Sequence, residues 1–129
     1  MWIPLEKLQR ILLIVISTLL LTGCGVADGG KVTAKDVLKE NPEADILQYN
    51  GFIYSNMTDV DWFKEQQDQY TKNDVLGEIK RQSTSSFGFK EWSATKLPIG
   101  TKIYSTKDSG ILIVEFEGTD LYYMQLLEG

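Results

Sequence analysis

The side chains that most often carry catalysis are scarce in this sequence. The chain has 129 residues, with no histidine and one cysteine. Histidine is the usual base for a serine or cysteine nucleophile and the commonest metal ligand, so those catalytic arrangements are excluded. No glycine-rich phosphate loop follows a candidate strand. We therefore expect no catalytic residue, no metal site and no cofactor.

Acidic residues are the remaining candidates for chemistry. Asp59 and Asp61 have the spacing that opens a calcium-binding loop. Phe63 and Lys64, however, stand where such a loop needs an oxygen ligand and a glycine. We interpret the two acids as the cap and first turn of a short helix, with Thr58 as the other candidate cap.

A pair of carboxylates is sufficient for the hydrolysis of a glycosidic bond. Glu78, Glu91 and Glu115 are the candidates for such a pair. Because the chain carries 18 acidic residues, some pair will always have a suggestive spacing. A carboxylate-dependent hydrolase is therefore kept as an alternative and ranked below a binding role.

Aromatic side chains offer a second kind of site, because their faces bind peptides and sugars. Aromatic residues also favour strands and cores, so most of them, including Tyr49 and Tyr54, are assigned to packing. Trp62 and Trp92 each follow an acidic residue in the chain. These two tryptophans are the candidates for an exposed binding surface.

The one cysteine, Cys24, comes directly after a short apolar segment. Residues 11–21 carry no charge, and the ten residues before them contain Lys7 and Arg10. As a helix this segment rises about 16 Å, whereas the hydrocarbon core of a bilayer is about 30 Å thick. A charged leader, a short apolar stretch and a small-residue end are typical of a secretory signal peptide rather than of a spanning helix.

The quartet Leu21-Thr22-Gly23-Cys24 resembles the lipobox of bacterial lipoprotein precursors. The resemblance implies that the Cys24 thiol receives a diacylglycerol, that the Gly23–Cys24 bond is cut and that the new amine can be acylated as well. Two acyl chains of the palmitate type bury enough methylene groups for stable anchoring. We therefore expect a lipoprotein anchored on the extracytoplasmic face of the cell membrane.

The cleaved chain is more acidic than its precursor. The leader takes Glu6, Lys7 and Arg10 with it, so 11 basic and 17 acidic residues remain and the net charge is −6. Nucleic acid is excluded as a partner, because phosphate binding needs clustered Lys and Arg. The expected partners are membrane lipid, through the acylated Cys24, and an unknown envelope protein, peptide or wall polymer.

The sequence divides into three segments. Residues 1–23 are the signal peptide, and residues 24–32 form a lipidated flexible tether that is rich in glycine. Residues 33–129 form a single globular domain. Its size allows a core without any disulfide.

Within this domain, short helix and strand signals alternate. Thr33 and Asp36 have the pattern of a capping box, and the first helix is expected to end at Asn41, before Pro42. A second short helix is expected within residues 57–70. Strands are expected at 44–54, with Asn50-Gly51 as a turn or bulge, and at 75–80, 101–105, 111–116 and 121–127. Together they predict an α+β fold: a small antiparallel sheet or partial barrel with one or two short helices.

Three stretches of the domain resemble small lipoproteins of Bacillus-type Firmicutes. They are ADILQYNGFIY at 44–54, LGEIKRQ at 76–82 and ATKLPIGTKIY at 94–104. The resemblance implies a Gram-positive membrane and a similar architecture, and it brings no catalytic residue with it.

The leading hypothesis is a membrane-anchored binding or accessory module of the cell envelope with no evident catalysis. It depends on the lipobox resemblance and on the missing catalytic side chains. Two alternatives stay open at this point. One is the carboxylate-dependent envelope hydrolase, and the other is a structural or inhibitory envelope protein.

Overall fold

The computed structural model describes residues 31–127. They belong to one compact unit of the chain. The predicted signal peptide, Cys24, the Gly23–Cys24 bond and tether residues 24–30 lie outside the described residues. Within 31–127, no helix has both the length and the apolar character needed to cross a bilayer.

Two short helices accompany the sheet. The first, α1, spans Ala34–Glu40, and the second, α2, spans Asp61–Lys64, with a 3-10 helix at Gln67–Gln69 after it. The Thr33 hydroxyl accepts a hydrogen bond from Asp36 N, and the Asp36 carboxylate accepts one from Thr33 N. The predicted capping box is therefore confirmed.

The second helix begins later than predicted and is not capped by a side chain. Its N-cap is Val60, which offers no side-chain hydrogen bond. The Thr58 hydroxyl instead donates to Asn56 Oδ1 (2.5 Å) and accepts from Tyr122 N (2.9 Å). The prediction that Thr58 or Asp59 caps this helix was wrong. No side chain caps it, and the Thr58 hydroxyl instead binds Tyr122, a residue distant in sequence.

Eight strands form one curled sheet. In chain order they are β1 Ile46–Tyr49, β2 Phe52–Asn56, β3 Val75–Glu78, β4 Arg81–Gln82, β5 Ser93–Ala94, β6 Lys102–Tyr104, β7 Ile111–Phe116 and β8 Thr119–Gln125. Their spatial order is β3-β6-β7-β8-β2-β1-β5-β4. Neighbouring strands are antiparallel, except for the parallel pair β4–β5. The predicted α+β fold is confirmed.

The two edge strands of this sheet are consecutive pieces of one chain segment. β3 pairs with β6 and β4 pairs with β5, and Ile79 and Lys80 alone separate β3 from β4. Ile79 N donates to Thr101 O, and Lys80 N donates to Trp92 O, at 2.9 Å each. The sheet therefore curls until one segment borders both of its edges, which produces the predicted partial barrel.

The inner face of the curled sheet encloses the main core. Leu112 and Val114 point into it, and Phe116 packs at its margin, so the predicted shared side of these three residues is confirmed. The fully buried members come from five strands and from the segment between β3 and β4: Leu47, Ile79, Ala94, Ile103, Val114 and Tyr123 are all 0% exposed.

The β1–β2 hairpin is covered on both faces. Asn50 and Gly51 have φ values of 54° and 79°, as a two-residue hairpin turn requires. Leu47 and Tyr54 face the main core, whereas Ile46 and Ile53 face a second core that α1 covers. Successive side chains of a strand point to opposite faces, so the hairpin separates the two cores.

Candidate functional site

A cleft opens at one end of the barrel, between the β1–β2 turn and the connection from β6 to β7. Its volume is about 300 Å³. Tyr54, Leu76 and Leu112 line it from the core, and Tyr49 and segment 105–109 border it. We call this site the tyrosine cleft. An apolar floor with a few polar groups on the rim is the usual composition of a small-ligand site.

Two tyrosines line this cleft, and Trp92 packs against one of them, so that the three rings form an aromatic row. The ring of Tyr49 lies 6.1 Å from that of Tyr54 and 5.3 Å from that of Trp92, and both pairs are tilted. Tilted pairs at such distances are attractive beyond the area that they bury. Tyr49 and Tyr54 therefore form an aromatic side of the cleft, and Trp92 packs against Tyr49.

Tyr54 is held in place at the base of the cleft. Its side chain is buried, and its hydroxyl donates to the Ser109 carbonyl at 3.2 Å. Burial raises the pKa of Tyr54 to about 12, with smaller contributions from Tyr49, Glu91 and Asp108. This hydroxyl is consequently a neutral hydrogen-bonding group at neutral pH.

Segment 105–110 is fixed by its own side chains. The Thr106 hydroxyl lies 2.9 Å from the carbonyl oxygens of both Asp108 and Ile111. Asp108 Oδ1 accepts from Gly110 N at 2.8 Å. Lys107 Nζ lies 5.5 Å from the centre of the Tyr70 ring. The rim thus presents an ammonium and a carboxylate close together on a braced loop.

The structure places the two predicted tryptophans in different surroundings. Trp62 is 52% exposed on α2, with its ring edge-on to Phe63. Trp92 is partly buried beside the main core, with its ring over Gly77. Trp92, which directly precedes β5, therefore packs on β3 and is also the third ring of the aromatic row. A binding role for either residue remains a prediction.

Two of the three candidate glutamates support the fold. The Glu91 carboxylate accepts from Asn50 N and, at 3.1 Å, from Gly51 N, so it holds the hairpin turn. Glu115 pairs with Lys72 Nζ at 3.1 Å and accepts from the Tyr104 hydroxyl at 3.2 Å. Glu78 ends β3 and is exposed.

This arrangement weakens the hydrolase alternative. A general acid of that class needs a raised pKa. The hydrogen bond and charge of Lys72 instead lower the pKa of Glu115. Among residues 31–127, Asp108 is the one acid that lines the tyrosine cleft. The structure therefore does not join two carboxylates across this cleft.

Metal ligands do not cluster in the part of the chain that is described. No group of three or more Asp, Glu, His or Cys side chains there could hold a metal ion. Asp59 lies in a turn, and Asp61 is the first residue of α2. Their geometry fits the interpretation of Asp61 as a first-turn acid.

Sequence reasoning assigned Tyr49 and Tyr54 to packing and missed their part in a cleft. The available signal was their position, because they stand on the same hairpin face on either side of Asn50-Gly51. That position predicts a pair of rings at the end of a hairpin. It does not show that segment 105–109 leaves space above them.

Tyrosine ionisation should destabilise the fold at alkaline pH. An unfolded tyrosine ionises near pH 10, whereas burial raises the pKa of both Tyr54 and Tyr123 in the fold, for Tyr54 to about 12. The stability that the neutral tyrosines contribute is therefore fully present below pH 10, and the part due to Tyr54 is lost as the pH rises through about 12. Urea titrations between pH 8 and 12 measure this. The Tyr54→Phe, Tyr123→Phe double variant should lose most of the pH slope, and an unchanged slope would contradict the prediction.

Comparison of the chain with protein families, with curated proteins and with solved structures finds no match in any of the three.

Proposed function

We propose that this protein is a lipid-anchored lipoprotein of the extracytoplasmic membrane face, and that its domain binds a ligand in the tyrosine cleft. The lipobox resemblance at Cys24 supports the anchor. The observation that carries the binding role is the cleft itself, which combines the Tyr49–Tyr54 pair with the polar rim of segment 105–109.

The chemistry of the cleft favours a neutral or cationic ligand. Aromatic faces attract apolar rings and cations, and the rim adds hydroxyl and carbonyl groups that orient a polar chain. The net charge of −6 that follows removal of the leader disfavours polyanionic ligands, and Asp108 adds a carboxylate at the cleft itself. A short peptide or an uncharged stretch of wall glycan fits these conditions, whereas an anionic wall polymer does not.

Trp92 provides a readout of occupancy through its contact with Tyr49, which lines the cleft. The precursor has three tryptophans, and Trp2 leaves with the predicted leader. In the Trp62→Phe variant, Trp92 is then the one tryptophan of the mature chain, with its ring 5.3 Å from that of Tyr49. The lipidated variant in detergent micelles is titrated with muramidase-released wall fragments and, separately, with a short cationic peptide. We expect a saturable change in Trp92 emission with at least one probe.

A matched pair of variants tests whether the ligand occupies the cleft. Tyr49→Ala removes the middle ring of the row and should weaken binding at least tenfold. Tyr104→Ala removes a partly exposed ring that bonds Glu115 outside the cleft, and it should leave binding within twofold. Thermal melts of both variants show whether each is folded. No saturable change with either probe, or equal binding by folded Tyr49→Ala, would contradict the proposal.

A further inference from the structure

A second groove lies on the opposite face of the β1–β2 hairpin from the tyrosine cleft. Its volume is about 290 Å³, and ten residues line it. Gln48 and Ile53 contribute from the hairpin face that is turned away from Tyr49 and Tyr54. Lys31 and Lys35 are the charged members, and no acidic side chain is among the ten. We call it the basic groove.

Beside the basic groove stands the most exposed large apolar side chain of the described residues. Phe87 is 92% exposed, and Ser86 and Phe89 of the same loop line the groove. A single exposed Phe is common on protein surfaces, but here hydrogen bonds hold the loop that carries it in one conformation. Arg81 Nη1 donates to Gly88 O at 2.8 Å, and Phe87 N donates to Ser85 Oγ at 3.2 Å.

The charged side chains of the basic groove are opposite in sign to the net charge of the whole chain. Lys31 and Lys35 line the groove, and Arg81 of β4 donates to the loop that carries Phe87, within a chain of net charge −5. Asp36 and Glu91 keep their negative charge while they accept backbone N–H hydrogen bonds, but neither of them lines the groove. The charged side chains that line the groove are therefore lysines, beside an apolar tip, which matches an anionic lipid surface.

Chain length places this face near the proposed anchor. Seven peptide units join Cys24 to Lys31, and a fully extended chain of that length reaches about 25 Å. Lys31 lines the basic groove and pairs with Leu127, which is itself 71% exposed. An acylated Cys24 would thus hold Lys31, a lining residue of the basic groove, within that reach of the bilayer.

We infer that the Phe87 loop and the basic groove dock on the anionic lipid surface that holds the anchor. Phe87 enters the headgroup boundary, and the lysines contact lipid phosphates. The inference rests on the lipid anchor in the proposed function. It also orients the domain, because docking through this hairpin face leaves the tyrosine cleft on the other face open to the envelope.

Tryptophan depth in vesicles tests this docking. The lipidated Trp62→Phe, Phe87→Trp variant is reconstituted in vesicles of phosphatidylcholine with phosphatidylglycerol that carry brominated acyl chains, which quench tryptophan at short range. The lipidated chain with native Trp62 is the control, since Trp62 is exposed on α2 and does not line the groove. The Trp62→Phe chain supplies the Trp92 background.

Quenching at position 87 should exceed quenching at position 62 at least twofold. It should fall with added salt and with the Lys31→Gln, Lys35→Gln pair, because a lysine near an anionic surface contributes about fivefold to docking. Equal quenching at 87 and 62, in chains that mass spectrometry shows to be acylated and that sediment with vesicles, overturns the docking alone. An unacylated chain that washes off the vesicles overturns the anchor and the docking with it.

Discussion

Replacing Cys24 with Ala is expected to abolish lipid attachment and to leave the chain uncut. Alanine has no sulfur to carry the diacylglycerol, and the peptidase implied by the lipobox resemblance cuts before an acylated cysteine. The effect is all-or-none, because each buried methylene contributes about 0.8 kcal/mol to anchoring and the variant has no acyl chain to bury. Intact-mass spectrometry of the membrane fraction measures both changes.

Two further chains make this result specific. Wild-type protein should have the mass of residues 24–129 plus diacylglycerol, with or without an amide-linked acyl chain. Thr22→Ser keeps a small residue before the cut and should be processed in the same way. A wild-type chain with a free thiol, or one that still carries residues 1–23, would refute the anchor. A Cys24→Ala chain cut at the same bond would also refute the assigned order of modification.

The second large effect is expected at the contact that closes the barrel. A Cβ atom at position 77 would stand 2.7 Å from Trp92 Cη2 and 2.8 Å from Cζ2. Gly77 does not have a positive φ, so its backbone accepts alanine and the clash is the main cost. We expect Gly77→Ala to lower the free energy of unfolding by about 1–3 kcal/mol, the usual cost of overpacking.

Trp92 has little freedom to relieve that clash. Its ring is tilted against Tyr49, and its backbone N–H donates to Gln48 O at 2.9 Å. Its φ is 66°, which is unusual for a bulky residue and ties the side chain to one direction. The alternative, a shift of β3, would disturb the bulge that the β3–β6 register has between Val75 and Gly77.

A double-mutant cycle isolates this contact. Trp92→Ala alone should cost about 2–4 kcal/mol, because it removes a partly buried ring. In that background, Gly77→Ala should cost nothing or stabilise the strand, so the coupling free energy should be at least about 1 kcal/mol. Gly110→Ala is the matched control, since Gly110 also has no positive φ and its Cβ would come no closer than 3.3 Å to the Asp108 carboxylate. Additive costs in urea unfolding would show that Trp92 does not close on Gly77.

Local patterns were sufficient for much of the fold. The capping box at Thr33 and the hairpin turn at Asn50-Gly51 each depend on residues that are close together in sequence. The shared side of Leu112 and Val114 follows from the two-residue period of a strand. The second helix was predicted less well, because the hydroxyl assigned to its cap is used by Tyr122.

The tyrosine cleft depends on residues that are distant from one another in sequence. Tyr49 and Tyr54 come from one hairpin, Leu76 from β3, Leu112 from β7 and the rim from the loop before β7. A sequence pattern gives the face of each strand but not its neighbour in the sheet. Space above the tyrosines exists because of strand order, and no single segment contains that information.

The short apolar leader and the lone cysteine predict the localisation of the chain, because a signal of this kind is recognised before the chain folds. Thr33 and Asn50-Gly51 specify local geometry for a similar reason: their partners lie a few bonds away. Other contacts exist only in the folded chain: Ile79 and Lys80 close the sheet, and Trp92 packs on Gly77. These contacts join segments far apart in sequence, so their formation depends on the packing of the whole domain.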